Sequence, residues 1–369
     1  MNINYHPIPP ESKEQAVFFA YVRRKLMLKL FVLVIVVSFL SPTVMMAETL
    51  RIAFGSCFEQ DTGDPAIWQS ISAMTPDLFL FLGDNVYVDS DNPEKFARDY
   101  KTLLSNKGVS QLMKQTAIMA TWDDHDYGLN DGGKHFSAKT IAKKAFVSAF
   151  NYSEINRIPD DQGIYHSRIL PLADKTIRVI MLDTRWYRDD LLMHRLSEED
   201  RARFELGPYR PHWDTSKTLL GDQQWAWLEQ TLSEQVALNI IVTSIQFIAE
   251  NTAWEIWANF PHERQRLIEL IREHGFGKTV FLSGDVHRGE MSAMQLGDWQ
   301  LFDLTTGPLN SVSYPGKPNI HRIGGVYSQH NFGMLKIEIE QNSLLVNAGL
   351  YNTQGDLLEQ HHIPLLQED

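Results

Sequence analysis

Six short apolar runs set the limits on what this chain can fold into: LRIAFGS (50–56), DLFLFLGD (77–84), TAIMATWDD (116–124), TIRVIMLDT (176–184), LNIIVTS (238–244) and KTVFLSGD (278–285). Each is too short for a buried helix and too continuously apolar for a strand with one wet face. They read as strands covered on both faces. Helical patterns lie between them at Pro65–Met74, Pro93–Leu104, Ala138–Phe150, Asp222–Glu234 and Pro261–Glu273, several with Pro in the first turn and acids or Gln nearby. Later, WQLFDLTT, FGMLKIEIE and SLLVNAGLYN read as strands with fewer helices between them. The order predicts an α/β fold that turns more antiparallel toward its end.

The six runs share a second property. They end in Ser56-Cys57, Gly83-Asp84-Asn85, Asp123-Asp124-His125-Asp126, Asp183-Thr184-Arg185, Ser244 with Gln246, and Gly284-Asp285-Val286-His287. The carboxyl ends of parallel strands form the crevice where α/β proteins bind ligands. Any one of these clusters could be a turn or a cap. Six in succession point to a site rich in metal-competent side chains.

These motifs, GSC (55–57), GDNVY (83–87), WDDHD (122–126) and SGDVH (283–287), resemble those of the PhoD-like alkaline phosphatases, within the calcineurin-like metallophosphoesterase superfamily. LDTRWYR (182–188), LLGDQQWAWLEQTL (219–232), VTSIQF (242–247) and NFG (331–333) extend the likeness over essentially all of 50–355. The resemblance implies a four-layer α/β/β/α sandwich, with two mixed sheets flanked by helices. It also implies an exported enzyme that hydrolyses phosphate monoesters or diesters at a dinuclear metal centre, by a metal-bound hydroxide. Asp84 takes the bridging place, and Tyr87 that of a tyrosinate on ferric iron. Cys57 stands where PhoD-like enzymes carry a cysteine and most relatives an aspartate. A thiolate beside a tyrosinate suits Fe³⁺ better than Mg²⁺ or Ca²⁺.

Asp124 replaces the asparagine ligand of the second metal and Asp285 a histidine ligand, while His287 keeps its place on the first. Near VTSIQF only Ser244 and Gln246 stand where the wider family has another histidine. The second site thus trades imidazole for oxygen, which favours Ca²⁺, alternatively Mg²⁺ or Mn²⁺. Asp126, Asn130 and Asp131 are candidates for a further calcium, although NDGG also reads as a turn. His125 takes the place of the catalytic histidine, as a proton donor or as a supporting histidine oriented by Asp126. Arg185 is expected to clamp the phosphoryl group, or else to pair with Asp183 or Asp189. Trp254, Trp257 and Phe260 are expected either to rim the cleft or to pack in the core.

Other features bound the reading. LMLKLFVLVIVVSFL (26–40) follows Arg23, Arg24 and Lys25 and leads to the small residue Ala47, the three parts of a secretory signal, with an uncleaved anchor as the alternative. The apolar core favours a Sec-type over a twin-arginine signal, and Met27 is an alternative start. The expected organisation is therefore a signal peptide over 1–47 and a periplasmic or secreted catalytic domain over 48–369, with an inserted segment at 185–221 that carries a short helix in LSEEDRARFE. No membrane span is expected after cleavage. Cys57 is the only cysteine, so no internal disulfide forms. A net charge of −12 argues against nucleic-acid backbone binding. It leaves room for a small-molecule or lipid phosphate ester, because bound cations reverse the sign inside a cleft. No Walker loop, G-x-S-x-G or Rossmann fingerprint competes. The alternatives are a phospholipase D-like phosphodiesterase and a catalytically silent surface or carbohydrate-binding protein on the same scaffold.

Overall fold

The computed structural model describes Tyr21, residues 23–25 and residues 49–366 apart from 63–65, 251 and 342. The apolar core of the expected signal, 26–40, and its exit to Ala47 lie outside the described residues. The chain divides into two units, Met1–Met46 and Ala47–Asp369. Among the described residues no helix is long and apolar enough to cross a membrane.

In the larger unit, one sheet opens with β1 (Thr49–Gly55), β2 (Leu78–Leu82) and β3 (Ala117–Thr121), which run parallel. A second sheet takes β4 (His166–Leu172) and β5 (Lys175–Met181), while β6 (Leu192–Met193) and β7 (Tyr209–Arg210) form a small separate ribbon. Next come β8 (Leu238–Val242), β9 (Thr279–Ser283), β10 (Gly289–Leu296), β11 (Trp299–Thr305) and β12 (Arg322–Tyr327), all in the second sheet. The chain then returns to the first sheet with β13 (Asn331–Glu340), β14 (Ser343–Asn352) and β15 (Leu357–Ile363). The strand orders are β15-β14-β13-β1-β2-β3 and β12-β10-β11-β9-β8-β5-β4. Both sheets are mixed: β5, β8, β9 and β11 run parallel, whereas β4, β10 and β12–β15 pair antiparallel.

Side-chain alternation explains the continuous apolar runs. In β1 and β2, Ile52, Phe54, Leu78, Leu80 and Leu82 enter the core between the sheets, with Ile240, Val242 and Leu282 in the same core. The intervening Ala53, Phe79 and Phe81 point the other way, into a core closed by helices Ile67–Ala73, Pro93–Ser105, Lys107–Gln115 and Lys139–Ala149. Ile180, Ile241 and Phe281 do the same on the outer face of the second sheet, under helices Gly221–Ser233 and Pro261–His274. The layers are thus α/β/β/α. Each such Leu, Ile, Val or Phe contributes about 1.5–3 kcal/mol on burial, so both faces of every central strand stabilise the stack. The parallel strands β1–β3, β5, β8, β9 and β11 all present carboxyl ends to loops that carry the polar motifs.

Within 185–221 lie the small ribbon and a six-residue helix, Glu198–Arg203, capped by the Ser197 hydroxyl. The segment docks through backbone bonds from Gly207 N–H to Thr252 O and from Tyr209 N–H to Ala253 O.

Candidate functional site

Three of the motifs, at Cys57, Gly83-Asp84 and Asp285-His287, leave their strands through tight reversals. Gly83 has φ +110°, and a β-carbon there would lie 2.6 Å from the Asp123 β-carbon. Cys57, Asp84, Asp285 and His287 follow with φ of 59°, 50°, 66° and 52°, and Asp89 and Asp131 with 44° and 50°. Such left-handed backbone costs of order 1–3 kcal/mol at a residue with a side chain and gathers at functional sites. The reversals turn the side chains inward to one cleft of about 350 Å³, lined among others by Asp84, Asp124, His125, Asp131, Glu255, Asp285 and His287.

Two donor sets meet at Asp84. On one side, ligand atoms of Cys57, Asp84 and His287 lie within 4.8 Å of one another. The Cys57 thiol is 3.7 Å from Asp84 Oδ2, and the Tyr87 hydroxyl is 3.0 Å from His287 Nε2. His287 Nδ1 is occupied by the Val312 carbonyl at 2.5 Å, so Nε2 is the nitrogen left to face Tyr87. On the other side, Asp84 groups with Asp124 and His125, Asp124 with Asp123 and Asp285, and Asp124 again with Asp131 and Glu255.

The charges do not balance by themselves. Burial, followed by the repulsion of neighbouring carboxylates (Asp124 for Asp84, Asp123 for Asp285), holds both acids well above the usual carboxylate range. Burial also pushes the Cys57 thiol and the Tyr87 phenol up, with the Asp84 charge adding to it in both. Asp123 and Asp131 rise to about 7, again chiefly through burial. A buried set of mutually repelling oxygens and a thiol is the environment that bound cations relieve. The residues fit such ions: sulfur, phenol and imidazole donors cluster on one side of Asp84 and carboxylates on the other.

His125 sits in the short helical turn Asp124–Tyr127, 2.6 Å from Asp89 Oδ1 through Nδ1. Its ring centroid lies 4.3 Å from that of Tyr87. Burial opposes a charge on this imidazole, but the hydrogen bond to Asp89 and the nearby Asp124 carry it up to about 9. Asp124 falls to about 2, because the charges of Arg185 and His125 and the Asp131 amide outweigh its burial.

The structure corrects several expectations. Asp126 neither orients His125 nor faces the cleft; it is buried and accepts from the Asn85 and Asp123 amides and the Tyr100 hydroxyl. Arg185 is fully buried, with its guanidinium spent on Asp123 and, at 2.8 Å, on Glu255, rather than on Asp183 or Asp189. The guanidinium lies beneath the carboxylates and presents no exposed face to a substrate. Arg188 adds a second ion pair to Glu255 at 3.0 Å. Ser244 holds Asp123 at 2.7 Å, and Gln246 donates to Glu290. Trp257 and Phe260 are core residues, whereas Trp254 lines the cleft at 45% exposure. Sequence reasoning missed Asp89 and Glu255, and it placed Asp123 at a strand end without giving it a role of its own. Glu255, an acid between tryptophans in TAWEIW, carried the one usable signal, since an acid in an apolar stretch needs a partner.

Comparisons with known proteins give the family and the fold. A family model described as PhoD-like phosphatase matches residues 52–322. Alkaline phosphatase D of Bacillus subtilis (strain 168) is 23% identical over 309 residues, covering 72% of this chain and 50% of the relative, so the chain spans about half the length of that protein. The solved structure of PhoD matches with a TM-score of 0.61 at 18% identity, over 87% of this chain and 72% of that one. GAP50, the anchor in the inner membrane complex of Plasmodium, matches at 0.55 and 13% identity, over 87% of this chain and 90% of the other. At these identities the two structures speak for the fold.

Proposed function

Since this chain belongs to the PhoD-like phosphatase family, we propose that it is an exported, metal-dependent phosphoric ester hydrolase acting on monoesters, diesters or both. The observation that carries the reading is the meeting of two chemically different donor sets at Asp84. Cys57, Tyr87 and His287 suit a ferric ion, and Asp124 and Asp285 suit a divalent ion such as Ca²⁺, alternatively Mg²⁺ or Mn²⁺, with Asp84 shared between them. Two such ions, when bound, supply an activated water and neutralise charge on the phosphoryl oxygens.

The protein's own residues do the rest. Asp89 accepts from His125 Nδ1 and fixes the ring, which leaves Nε2 to deliver a proton to the leaving oxygen. Arg185 acts from below as a positioning residue, bracing Asp123 and Glu255 under the carboxylate wall. A similar fold is found in GAP50, an anchor in the inner membrane complex of Plasmodium, so the reading rests on the site residues and not on the scaffold. Asp84, His125 and His287 in one cleft, with Cys57 and Tyr87 packed against Asp84 and His287, favour catalysis over a silent surface protein.

Hydrolysis of a phosphate monoester and a bis-ester by metal-loaded protein tests the reading, with Asp84→Ala as the control. Turnover of either ester that disappears in the variant is expected. Absence of turnover on both by metal-loaded protein overturns it.

A further inference from the structure

One loop of the cleft is fastened to the site with more care than a surface loop needs. His287 Nδ1 meets the Val312 carbonyl, Ser311 Oγ lies 3.2 Å from both His287 Nδ1 and the Tyr87 hydroxyl, and Tyr314 N–H donates to the His287 carbonyl at 3.1 Å. The Tyr314 ring then stacks on the His287 imidazole, centroids 5.0 Å apart and planes 24° apart. One ring face is therefore covered, yet Tyr314 remains 49% exposed and lines the cleft. The tyrosine is an aromatic platform mounted on His287 and tied through Ser311 to Tyr87.

Trp254 lines the same cleft, 45% exposed, from the loop after β8. It too is held in place: its N–H donates to Thr252 Oγ1, and the preceding Ala253 carbonyl accepts from Tyr209 N–H of the inserted segment. Two large, half-exposed aromatic rings on braced loops cost hydration free energy that a folded protein recovers only on binding. Because their backbones are already ordered, little further entropy is lost when a rigid group settles against them.

We propose that Tyr314 and Trp254 form the subsite for the alcohol portion of the ester, and that the site selects phosphate esters whose alcohol carries a planar aromatic or heteroaromatic ring. The inference rests on the phosphoester reading above and adds the substrate class. A flat ring gains face contact with a fixed aromatic surface, whereas a puckered ring of equal size and a flexible alkyl chain gain only area. The platform does no bond making; it orients the alcohol so that its oxygen lies within reach of His125.

The test separates planarity from size and from leaving-group chemistry. Phosphate esters of 2-phenylethanol, 2-cyclohexylethanol and 1-butanol leave as alkoxides of similar basicity, so differences in kcat/KM report the contact alone. They are offered as monoesters and as bis-esters to metal-loaded full-length protein. The phenylethyl ester is expected to exceed the cyclohexylethyl ester by roughly 2- to 10-fold for each ring engaged. Tyr314→Ala and Trp254→Ala should each shrink the ratio of phenylethyl to cyclohexylethyl kcat/KM toward one, whatever either does to the absolute rates. Tyr314→Phe, which keeps the ring, should keep the preference. Equal rates on the phenyl and cyclohexyl esters overturn the inference while the phosphoester reading stands. A Tyr314→Ala loss of the same size on all three esters also overturns it, because the ring then merely supports His287. No turnover of any ester by metal-loaded wild type overturns both.

Discussion

His125 and Arg185 show how a single residue's neighbours decide its role. With Asp89 holding Nδ1, His125→Ala should retain bound metals and the fold but lose about 10²–10⁴-fold in kcat. The loss should be greater for an alkyl than for an activated aryl ester, which departs with little protonation. Steady-state kinetics on both esters beside metal counts check this; equal losses would remove the proton-donor role, and metal loss would make His125 a ligand. Asp89→Asn should lower kcat by a smaller factor with KM unchanged and move the pH dependence of kcat downward, because Asp89 both orients the ring and favours its protonated form. Arg185 belongs to stability instead. Its removal strands Asp123 and Glu255 in the interior, so Arg185→Ala should cost about 3–5 kcal/mol in denaturant unfolding, even with metals present. These roles were unevenly legible in the sequence. Cys57, Asp84, Asp124, Asp285 and His287 were visible because each ends an apolar run, and a run end locates a residue without any tertiary knowledge. The partnerships of Asp89 and Glu255 were not visible. Both depend on loop paths that bring together segments 36 and 70 residues apart, and charge type alone does not select among the many acids here.

Elements fix where those residues point. The turn after β2 tolerates no β-carbon at Gly83, where φ is +110° and Asp123 stands 2.6 Å away. Gly83→Ala should therefore destabilise the protein by more than the roughly 1 kcal/mol expected for removing the cap at Asn92, whose side chain accepts from Glu94 N–H at the head of helix Pro93–Ser105. It should also impair activity, because the same turn places Asp84; thermal melts beside turnover separate the two effects. The buried parallel strands were readable because both faces are covered and the runs stay apolar. The helices Pro93–Ser105 and Pro261–His274 were readable from proline at their first turns. Helix Lys107–Gln115 was not, because it restarts at once after Asn106 with Gly108 in its first turn. Strand β4 escaped because it is an edge strand holding Pro171, β12 because of Gly324 and Gly325, and β15 because its outward residues are polar, as in LLEQHHI. Edge strands bury one side at most, so their sequences carry half the signal.

At the scale of the whole molecule, an acidic chain of net charge −12 concentrates buried carboxylates in one cleft. Asp123 and Asp131 at about 7, and Asp84 and Asp285 above the usual range, bind more protons folded than unfolded. Without cations the contribution of Asp123 and Asp131 is full below about pH 4 and is lost as pH rises through about 7, and that of Asp84 and Asp285 falls in the same direction. Chelated protein should therefore lose melting temperature across that window more steeply than metal-loaded protein, whose carboxylates are already neutralised; parallel pH profiles would reject the acidic cluster as the cation site. The central claim, that this cleft hydrolyses phosphoric esters with metals held at Asp84, has one direct measurement: metal content and ester turnover followed on the same preparation before chelation, after it, and after metals are restored. The account predicts iron with a divalent ion in the active protein, a visible charge-transfer band from thiolate and tyrosinate that loses its thiolate part in Cys57→Ser, turnover lost on chelation, and turnover regained on reloading. Undiminished turnover by metal-free protein, or an active protein that contains only zinc and is indifferent to Cys57→Ser, would contradict it.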